Sequence, residues 1–468
     1  MGHVAVVLAA GKGTRMKSEF PKVLHPVAGW PMVRWVLEAV TPTGPHRTVV
    51  VVGHGAEDVR QVLPDGVEIA VQEDQLGTAH ATLVALAALG ALTYDQPVLV
   101  VPGDTPMLTA EVLDGLLELH RDAGAAVTML TAEVDDPTGY GRVVRAADGS
   151  VAAVIEQKDA TAEQLAVREV NAGMYVFAAG LLASGLERIS NDNAQGEYYL
   201  TDLVALAVEA GEPVVARIMP EEVVAGVNDH AQLAAAAAAR RSQLVSWWMS
   251  EGVWMQDPDA VYLDATVRLA PGARLYPDVH LEGDTVVGAG ATVGPSCFAV
   301  DSEIGEGARV WYSVLRRAVV GPGAEVGPYA SLRPGTVLER NAKAGTFVEM
   351  KQTRVGEGAK VPHLAYLGDA DVGESANVGA GTITCNYDGY EKHPTRIGAR
   401  AFIGSDTMLV APVTIGEGAV TGAGSTITKD VPDGALGVER ADQRVIPDYA
   451  SRRAARYREE RRRRVEED

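Results

Sequence analysis

The stretch Val320-Gly-Pro-Gly-Ala-Glu-Val326-Gly-Pro-Tyr-Ala-Ser-Leu332-Arg-Pro-Gly-Thr-Val-Leu338 places a branched apolar residue at every sixth position, with Gly321 and Gly327 directly behind the first two. The beat returns at Ile397, Ile403, Leu409, Ile415, Thr421 and Ile427, and looser copies reach back to Val261. A small residue, such as Ala324 or Ala330, follows four places after a guide. A period of six matches neither an amphipathic helix nor a half-buried alternating strand. It matches a solenoid of short parallel strands, whose guide side chains stack inside while small residues turn the corners. One repeat cannot bury its own guide, so the guides must form a continuous core.

The chain has 468 residues, and the repeat sets in near residue 251, so at least two domains are expected. A formal charge of -21 argues against nucleic acid as a main partner, because phosphate binding needs a basic face. Two cysteines, Cys297 and Cys385, make no disulfide framework and fit a reducing cytoplasm. The apolar run Val4–Ala10 is too short for a membrane span and lacks the basic start of a signal peptide. A soluble cytoplasmic protein with no membrane partner is expected. The run Arg461–Arg464 is interleaved with glutamates and reads as a charged, solvated tail.

Outside the repeat, Val4–Leu8 reads as a buried strand feeding the turn Ala9-Ala10-Gly11-Lys12-Gly13-Thr14-Arg15-Met16, followed by Pro21-Lys22. Glycines let backbone N–H groups approach a phosphate, and Lys12, Arg15 and Lys22 supply charge. A tight turn with solvated charges reads equally well, and the spacing is neither a dinucleotide fingerprint nor a Walker loop. Strands at 48–52 and 97–101 alternate with helices at 78–92 and 109–120, which predicts a doubly wound sheet with ligands at its carboxyl edge. Asp104 falls at that edge. It can hold Mg²⁺ beside substrate phosphates, or cap the helix that follows.

Residues 231–249, between Asn228-Asp229 and Gly252, read as a connecting helix whose Leu244, Trp247 and Trp248 form a core stripe or a partner contact, the core stripe being the favoured reading. Within the repeat, Arg333 and Lys351 are eighteen residues apart and so share one face of a three-sided coil. His363 lies twelve further on and falls on another face by strict count, so a site using all three needs an irregular coil or a neighbouring subunit. The rhythm breaks from Thr382 to Arg396, which predicts a projecting loop where binding residues concentrate. A lone His363 beside Pro362 can simply face solvent or satisfy a corner hydrogen bond.

Leu8–Met16 with Pro21-Lys22 resembles the signature of sugar-1-phosphate nucleotidyltransferases. Further stretches sharpen the likeness: Gln72 with Gln75-Leu-Gly-Thr78, Gly139-Tyr-Gly-Arg142, Glu156-Gln-Lys-Asp159, Asn171-Ala-Gly173, Asn193–Tyr199, Gly226-Val-Asn228 and Val361-Pro-His-Leu-Ala-Tyr-Leu-Gly-Asp369. In this order they resemble the family of bifunctional N-acetylglucosamine-1-phosphate uridyltransferases/glucosamine-1-phosphate N-acetyltransferases. Two departures stand out: Pro102 where an aromatic residue is common, and Ala79 where Gly is common.

That resemblance implies an α/β nucleotidyltransferase domain, Rossmann-like with a doubly wound mixed sheet, followed by a left-handed parallel β-helix of hexapeptide repeats. The expected boundaries are 1–228 for the uridyltransferase domain, 229–250 for the linker helix, 251–437 for the acetyltransferase coil and 438–468 for the tail. It implies that Leu8, Ala9, Ala10, Gly11, Gln72, Gly77, Thr78 and Gly103 hold the uridine nucleotide, with Arg15 and Lys22 on the triphosphate. Gly141, Glu156 and Asn171 then surround the amino sugar, and Asp104 and Asn228 hold Mg²⁺. In the coil His363 becomes a general base. Arg333, Lys351, Tyr366 and Asn377 fall to glucosamine-1-phosphate, and Ala380, Asn386, Tyr387, Ser405, Ala423 and Arg440 to acetyl-CoA. Ser405 is a candidate donor to the developing oxyanion. The implied co-substrates are acetyl-CoA and UTP, and the implied assembly is a homotrimer. The rival expectation is a single-activity sugar nucleotidyltransferase with a structural or regulatory coil.

Overall fold

In a computed structural model, residues 2–11, 13–18, 20–53 and 55–467 are described, so Lys12 of the Gly-rich turn lies outside them. The chain divides into two units, residues 1–267 with 280–284 and residues 268–279 with 285–468.

The first unit is built on a mixed sheet of β1 (Val4–Ala9), β2 (Thr48–Val52), β3 (Glu68–Val71), β4 (Pro97–Pro102), β5 (Val127–Glu133), β6 (Arg142–Arg145), β7 (Val151–Ile155), β8 (Glu169–Ala178) and β9 (Val214–Met219). The order is β9-β5-β8-β4-β1-β2-β3, with β6 paired to β8 and β7 to β6. β8 runs antiparallel to β4 and β5, while the β1–β2, β1–β4, β2–β3 and β5–β9 pairs are parallel. Because helices cover both faces, β1 and β4 are apolar at every position. Val4, Val6, Val98 and Val100 pack on one side, and Ala5, Val7, Leu99 and Val101 on the other.

The helix Thr78–Leu89 ends three residues earlier than the sequence suggests, because Gly90 adopts a positive φ of 72°. The helix Ala110–Ala123 starts after Thr109, and Asp104 is not its cap. The connecting helix His230–Ser250 is capped by Asp229, whose carboxylate accepts the Gln232 N–H at 2.9 Å. Its expected apolar stripe is corrected: Val245 is buried, whereas Trp247 is 52% exposed. Cations anchor the helix instead. The Arg240 guanidinium lies 4.1 Å from the centre of the Trp35 ring and donates to the Pro106 carbonyl at 2.8 Å, and Arg241 covers Tyr262.

The second unit is a parallel coil whose guides sort into three columns. Val320 stacks under Leu338, Val355 and Val372; Val326 under Ala344 and Val361; Leu332 under Met350 and Leu367. The successive guides Val320, Val326 and Leu332 therefore face three different sides, and Leu338 returns above the first. Circuits vary in length. They take 16 residues from Arg309 to Glu325, 17 from Lys343 to Lys360 and 18 from Ser331 to Glu349. The glycine behind a guide is required by close approach of the next coil. A Cβ on Gly321 would stand 2.7 Å from the Leu338 carbonyl oxygen. From Asn377 to Phe402 the circuit takes 25 residues, and the surplus leaves the coil as a loop closed by a bridge between Tyr387 and Lys392. The chain ends in an exposed charged helix, Tyr449–Glu467. Among the described residues no helix is long and apolar enough to cross a membrane.

Guide burial predicts that Ile415→Ala costs the coil about 2–5 kcal/mol, whereas the exposed neighbour Thr414→Ala changes it by less than about 0.5 kcal/mol. Denaturant unfolding followed by circular dichroism checks the contrast, and equal effects would remove the stacking account. In the first unit, burial pushes the His120 imidazole down to about 4, with Arg121 adding to the effect. The folded value lies below the unfolded 6.5, so this contribution is complete above pH 6.5 and is lost as pH falls through about 4. The loss amounts to about 3 kcal/mol at most. His120→Gln should shrink the drop in unfolding midpoint between pH 7 and pH 4, and an unchanged drop would refute the assignment.

Candidate active sites

In the first unit Leu8, Ala9, Ala10, Gly11, Lys22, Gln72, Gly77, Thr78, Asp104, Glu156 and Asn171 line one cleft of about 590 Å³. Register explains the convergence: Leu8 of β1 lies beside Pro102 of β4, so the loops after both strands open at one edge. Gly103 donates its N–H to the Leu8 carbonyl at 2.8 Å, tying the two loops together. Gly13, at φ 58°, leaves room for Lys22, whose Cβ is 2.7 Å from where a Cβ would stand. Gln72 is buried and donates to the Gly77 carbonyl at 3.1 Å, and the Thr78 hydroxyl accepts the Leu200 N–H at 3.0 Å. Gly77, at φ 113°, could not carry a side chain without striking the Tyr198 backbone. Of the two departures, Pro102 lines the cleft, whereas Ala79 packs into the core.

At one end of the cleft, a Cβ on Gly141 would stand 3.2 Å from a Glu156 oxygen, and the Gly141 carbonyl accepts the Asn171 N–H at 2.9 Å. Burial pushes the Glu156 carboxyl above its ordinary range, opposed by the Thr201 hydroxyl 3.4 Å away and reinforced by Asp159, Asp202 and Glu197. Thr201 is a neighbour that the sequence reading missed; it carries no motif and arrives through the fold.

Near the loop, the Lys22 ammonium pairs with the Asp104 carboxylate and donates to Asn228 Oδ1 at 3.1 Å, while Arg15 donates to the same oxygen at 2.9 Å. Two oxygen ligands thus converge on one cation. A carboxylate and an amide oxygen, with room for substrate phosphates, fit a hard divalent ion such as Mg²⁺, and the ammonium stands in for its charge. Among the described residues no cluster of three or more His, Cys, Asp or Glu groups is placed to hold a metal ion.

In the second unit the strand pairing separates two columns. Arg333, Lys351, Gly368 and Cys385 stack on successive coils of one side. His363 lies on another column, next to Thr346 of the preceding coil. Its neighbour Leu364 accepts the Gly381 N–H, Ala380 accepts that of Asp406, and Ser405 accepts that of Gly424, so His363, Ala380, Ser405 and Ala423 lie one above another. The Arg440 guanidinium reaches the Ala423 carbonyl at 3.2 Å. Ser405 is two coils from His363, roughly 10 Å at strand spacing.

Beside the first column Tyr366 Oη and the Asn386 amide converge over Gly368, where a Cβ would meet them at 2.6 and 2.5 Å. Asn386 also donates to Asp369 at 2.5 Å. The projecting loop carries Tyr387, 61% exposed, and returns Lys392 to Lys351. Lys392, and to a smaller degree Arg333, lowers the Lys351 pKa, which Asp369 opposes. Lys392 was missed by sequence reasoning, although the break in rhythm marked its segment. Three cations gather there, with Arg333 paired to the Glu349 carboxylate at 2.8 Å and Asp369 beside Lys351, and together they offer an anion seat. Asn377 pairs with Lys360 and Phe402 on the side beyond the His363 corner, so one chain does not bring it to Lys351.

Residues 5–194 match the MobA-like NTP transferase domain, and residues 394–429 match the bacterial transferase hexapeptide (six repeats). The chain is 49% identical over 452 residues to the bifunctional protein GlmU of Heliobacterium modesticaldum, covering 96% of this chain and 98% of that protein. It is 48% identical to the one from Exiguobacterium sibiricum, covering 96% and 100%, and 50% identical to the one from Kineococcus radiotolerans, covering 94% and 90%. The expected nucleotidyltransferase domain and left-handed hexapeptide β-helix are the chain's fold. With about half its residues shared along both units, this chain belongs to the family of the bifunctional GlmU proteins.

Proposed function

We propose that the chain acetylates glucosamine-1-phosphate with acetyl-CoA on the coil and then transfers a uridylyl group from UTP to N-acetylglucosamine-1-phosphate in the sheet unit, releasing pyrophosphate. The observation that carries this reading is His363 within a column of small residues, Thr346, Ala380, Ser405 and Ala423, on the coil that also bears the three-cation seat. An inert coil needs neither, and the relatives match across both units, so the single-activity alternative is not favoured.

On the coil, Arg333, Lys351 and Lys392 seat the sugar phosphate, with Tyr366 beside them. His363 takes a proton from the substrate amine as its nitrogen attacks the thioester carbonyl. The C–S bond breaks and the coenzyme thiolate leaves. Ala380, Ser405 and Ala423 present a smooth track for the coenzyme, bounded by Asn386, Tyr387 and Arg440. In the cleft, Leu8–Gly11, Gln72, Gly77 and Thr78 hold the uridine end, and Gly141, Glu156 and Asn171 the sugar. A sugar-phosphate oxygen attacks the α-phosphorus while the bond to the β-phosphate breaks. Arg15 and Lys22 hold the charge of the departing pyrophosphate, so positioning and neutralisation suffice without a covalent nucleophile. Mg²⁺ bound by Asp104 and Asn228 supplies further charge neutralisation on the triphosphate.

The assembly we propose is a homotrimer. Tyr312, Tyr329, Phe347 and Leu364 form an exposed ladder on one corner, with ring centroids 5.7 and 5.4 Å apart and Phe347 58% exposed. The ladder runs directly into His363, so a second copy seated there can supply the groups, Asn377 among them, that one chain turns away. The free cysteines fit a cytoplasmic home.

His363→Ala should lower N-acetylation about 10²–10⁴-fold and spare uridylyl transfer from supplied N-acetylglucosamine-1-phosphate. Asp104→Ala should do the reverse. Product masses from reactions omitting each substrate in turn read both outcomes, and loss of both activities by either folded variant would break the two-site division. A Tyr329→Glu, Phe347→Glu double variant should sediment as a monomer, lose acetyl transfer and retain uridylyl transfer. A trimer of unchanged stability would dismiss the ladder as the interface.

A further inference from the structure

The ring of Tyr175, on β8, is 2% exposed and stacks on Phe177 with centroids 5.0 Å apart. A buried tyrosine ordinarily spends its hydroxyl on a hydrogen bond. By distance and angle the Tyr175 hydroxyl makes no hydrogen bond among the described residues, although the Asn171 side chain lies close enough to act on it as a hydrogen-bonding neighbour and Glu156 close enough to act on its charge. Burial raises its pKa, so at neutral pH it is a phenol that can donate. Yet Tyr175 lines the cleft together with Glu156, Asn171, Gly173 and Thr201.

The backbone is built to put it there. Between Asn171 and Tyr175 the pairing of β8 with β5 is irregular, four residues on β8 spanning the two from Thr131 to Met129. Gly173 turns the bulge at φ 73°, and Asn171 Oδ1 accepts the Gly173 N–H at 3.0 Å. Such bulges re-aim side chains next to binding sites. The bulge occupies the Asn171 carbonyl oxygen and leaves its amide NH₂ for other partners. The Phe177 stack fixes the Tyr175 ring at the wall of the cleft, with its hydroxyl shielded from solvent in this structure.

We propose that the Tyr175 hydroxyl is a substrate contact that donates a hydrogen bond to an oxygen of the bound amino-sugar phosphate, finding its partner only when that substrate is present. This rests on the placement of the sugar at the Glu156–Asn171 end of the cleft. It adds to that end a donor the motifs do not mark, and it gives the hydroxyl a function in binding rather than in folding.

The test is Tyr175→Phe in the full chain, with Glu156→Gln in parallel, measured by steady-state uridylyl transfer and by thermal unfolding without ligand. Tyr175→Phe should raise KM for N-acetylglucosamine-1-phosphate about 3- to 10-fold, the worth of one neutral hydrogen bond. KM for UTP and kcat should change less than about twofold, and the unliganded melting temperature should not fall. A lower melting temperature with unchanged KM would make the hydroxyl a structural donor and overturn the proposal. So would a rise confined to KM for UTP. If Glu156→Gln raises the sugar-phosphate KM while Tyr175→Phe does not, the Tyr175 contact alone is refuted. If neither variant raises it, the sugar's placement has failed.

Discussion

Each side of the coil has room for only one or two inward side chains per circuit, and the backbones of successive coils nearly touch. That packing limit governs the second unit. Guides such as Val320, Val326 and Ile403 are fully buried. Glycines follow many of them because a Cβ there would strike the next coil, as at Gly398, 2.6 Å from the Glu417 nitrogen. Extra residues cannot enter a core this narrow. The surplus between Asn377 and Phe402 is therefore expelled as a loop, and the loop carries Lys392 back against Lys351. The rule that stabilises the rod thus also places a cation at its surface.

A different constraint shapes the first unit. Parallel strands β1 and β4 end side by side, and their loops must share one edge. Asp104 and the Gly-rich turn meet there because of register, and the Lys22 ammonium bridges Asp104 to Asn228 from a distant part of the chain. β8 enters antiparallel between β4 and β5, and its bulge turns Asn171 and Tyr175 toward the same cleft. The cleft is thus closed by strands of opposite direction, which a purely parallel sheet could not provide.

Much of this is written locally in the sequence. The six-residue beat gives the guides, since each obeys a packing rule that depends only on its neighbours along the repeat. The apolar runs of β1, β2 and β4 and the Gly-rich turn are equally local. What escaped depends on relations between distant residues. A strict count of six puts His363 on its own face, but circuits of 16 to 18 residues decide its true column, with Ala380, Ser405 and Ala423. Trp247 reads as core by its chemistry, yet Arg240 on Trp35 and the Pro106 carbonyl anchor that helix. Thr201 and Tyr175 carry no motif, because their meaning comes from the carboxylate and the bulge they stand beside.

The two sites solve the problem of enclosing a ligand in opposite ways. The first unit folds a cleft of about 590 Å³ within one chain, and its ligands converge from strand ends and loops. A convex rod cannot do this alone, because adjacent columns diverge around each corner and leave His363, Ser405 and Ala423 open to solvent. Concavity has to come from a second surface. The exposed ladder Tyr312–Tyr329–Phe347–Leu364, ending beside His363, is apolar area of the kind that an interface core covers. In the proposed assembly, then, self-association and catalysis are one requirement for the coil, whereas the residues lining the sheet unit's pocket all come from one chain.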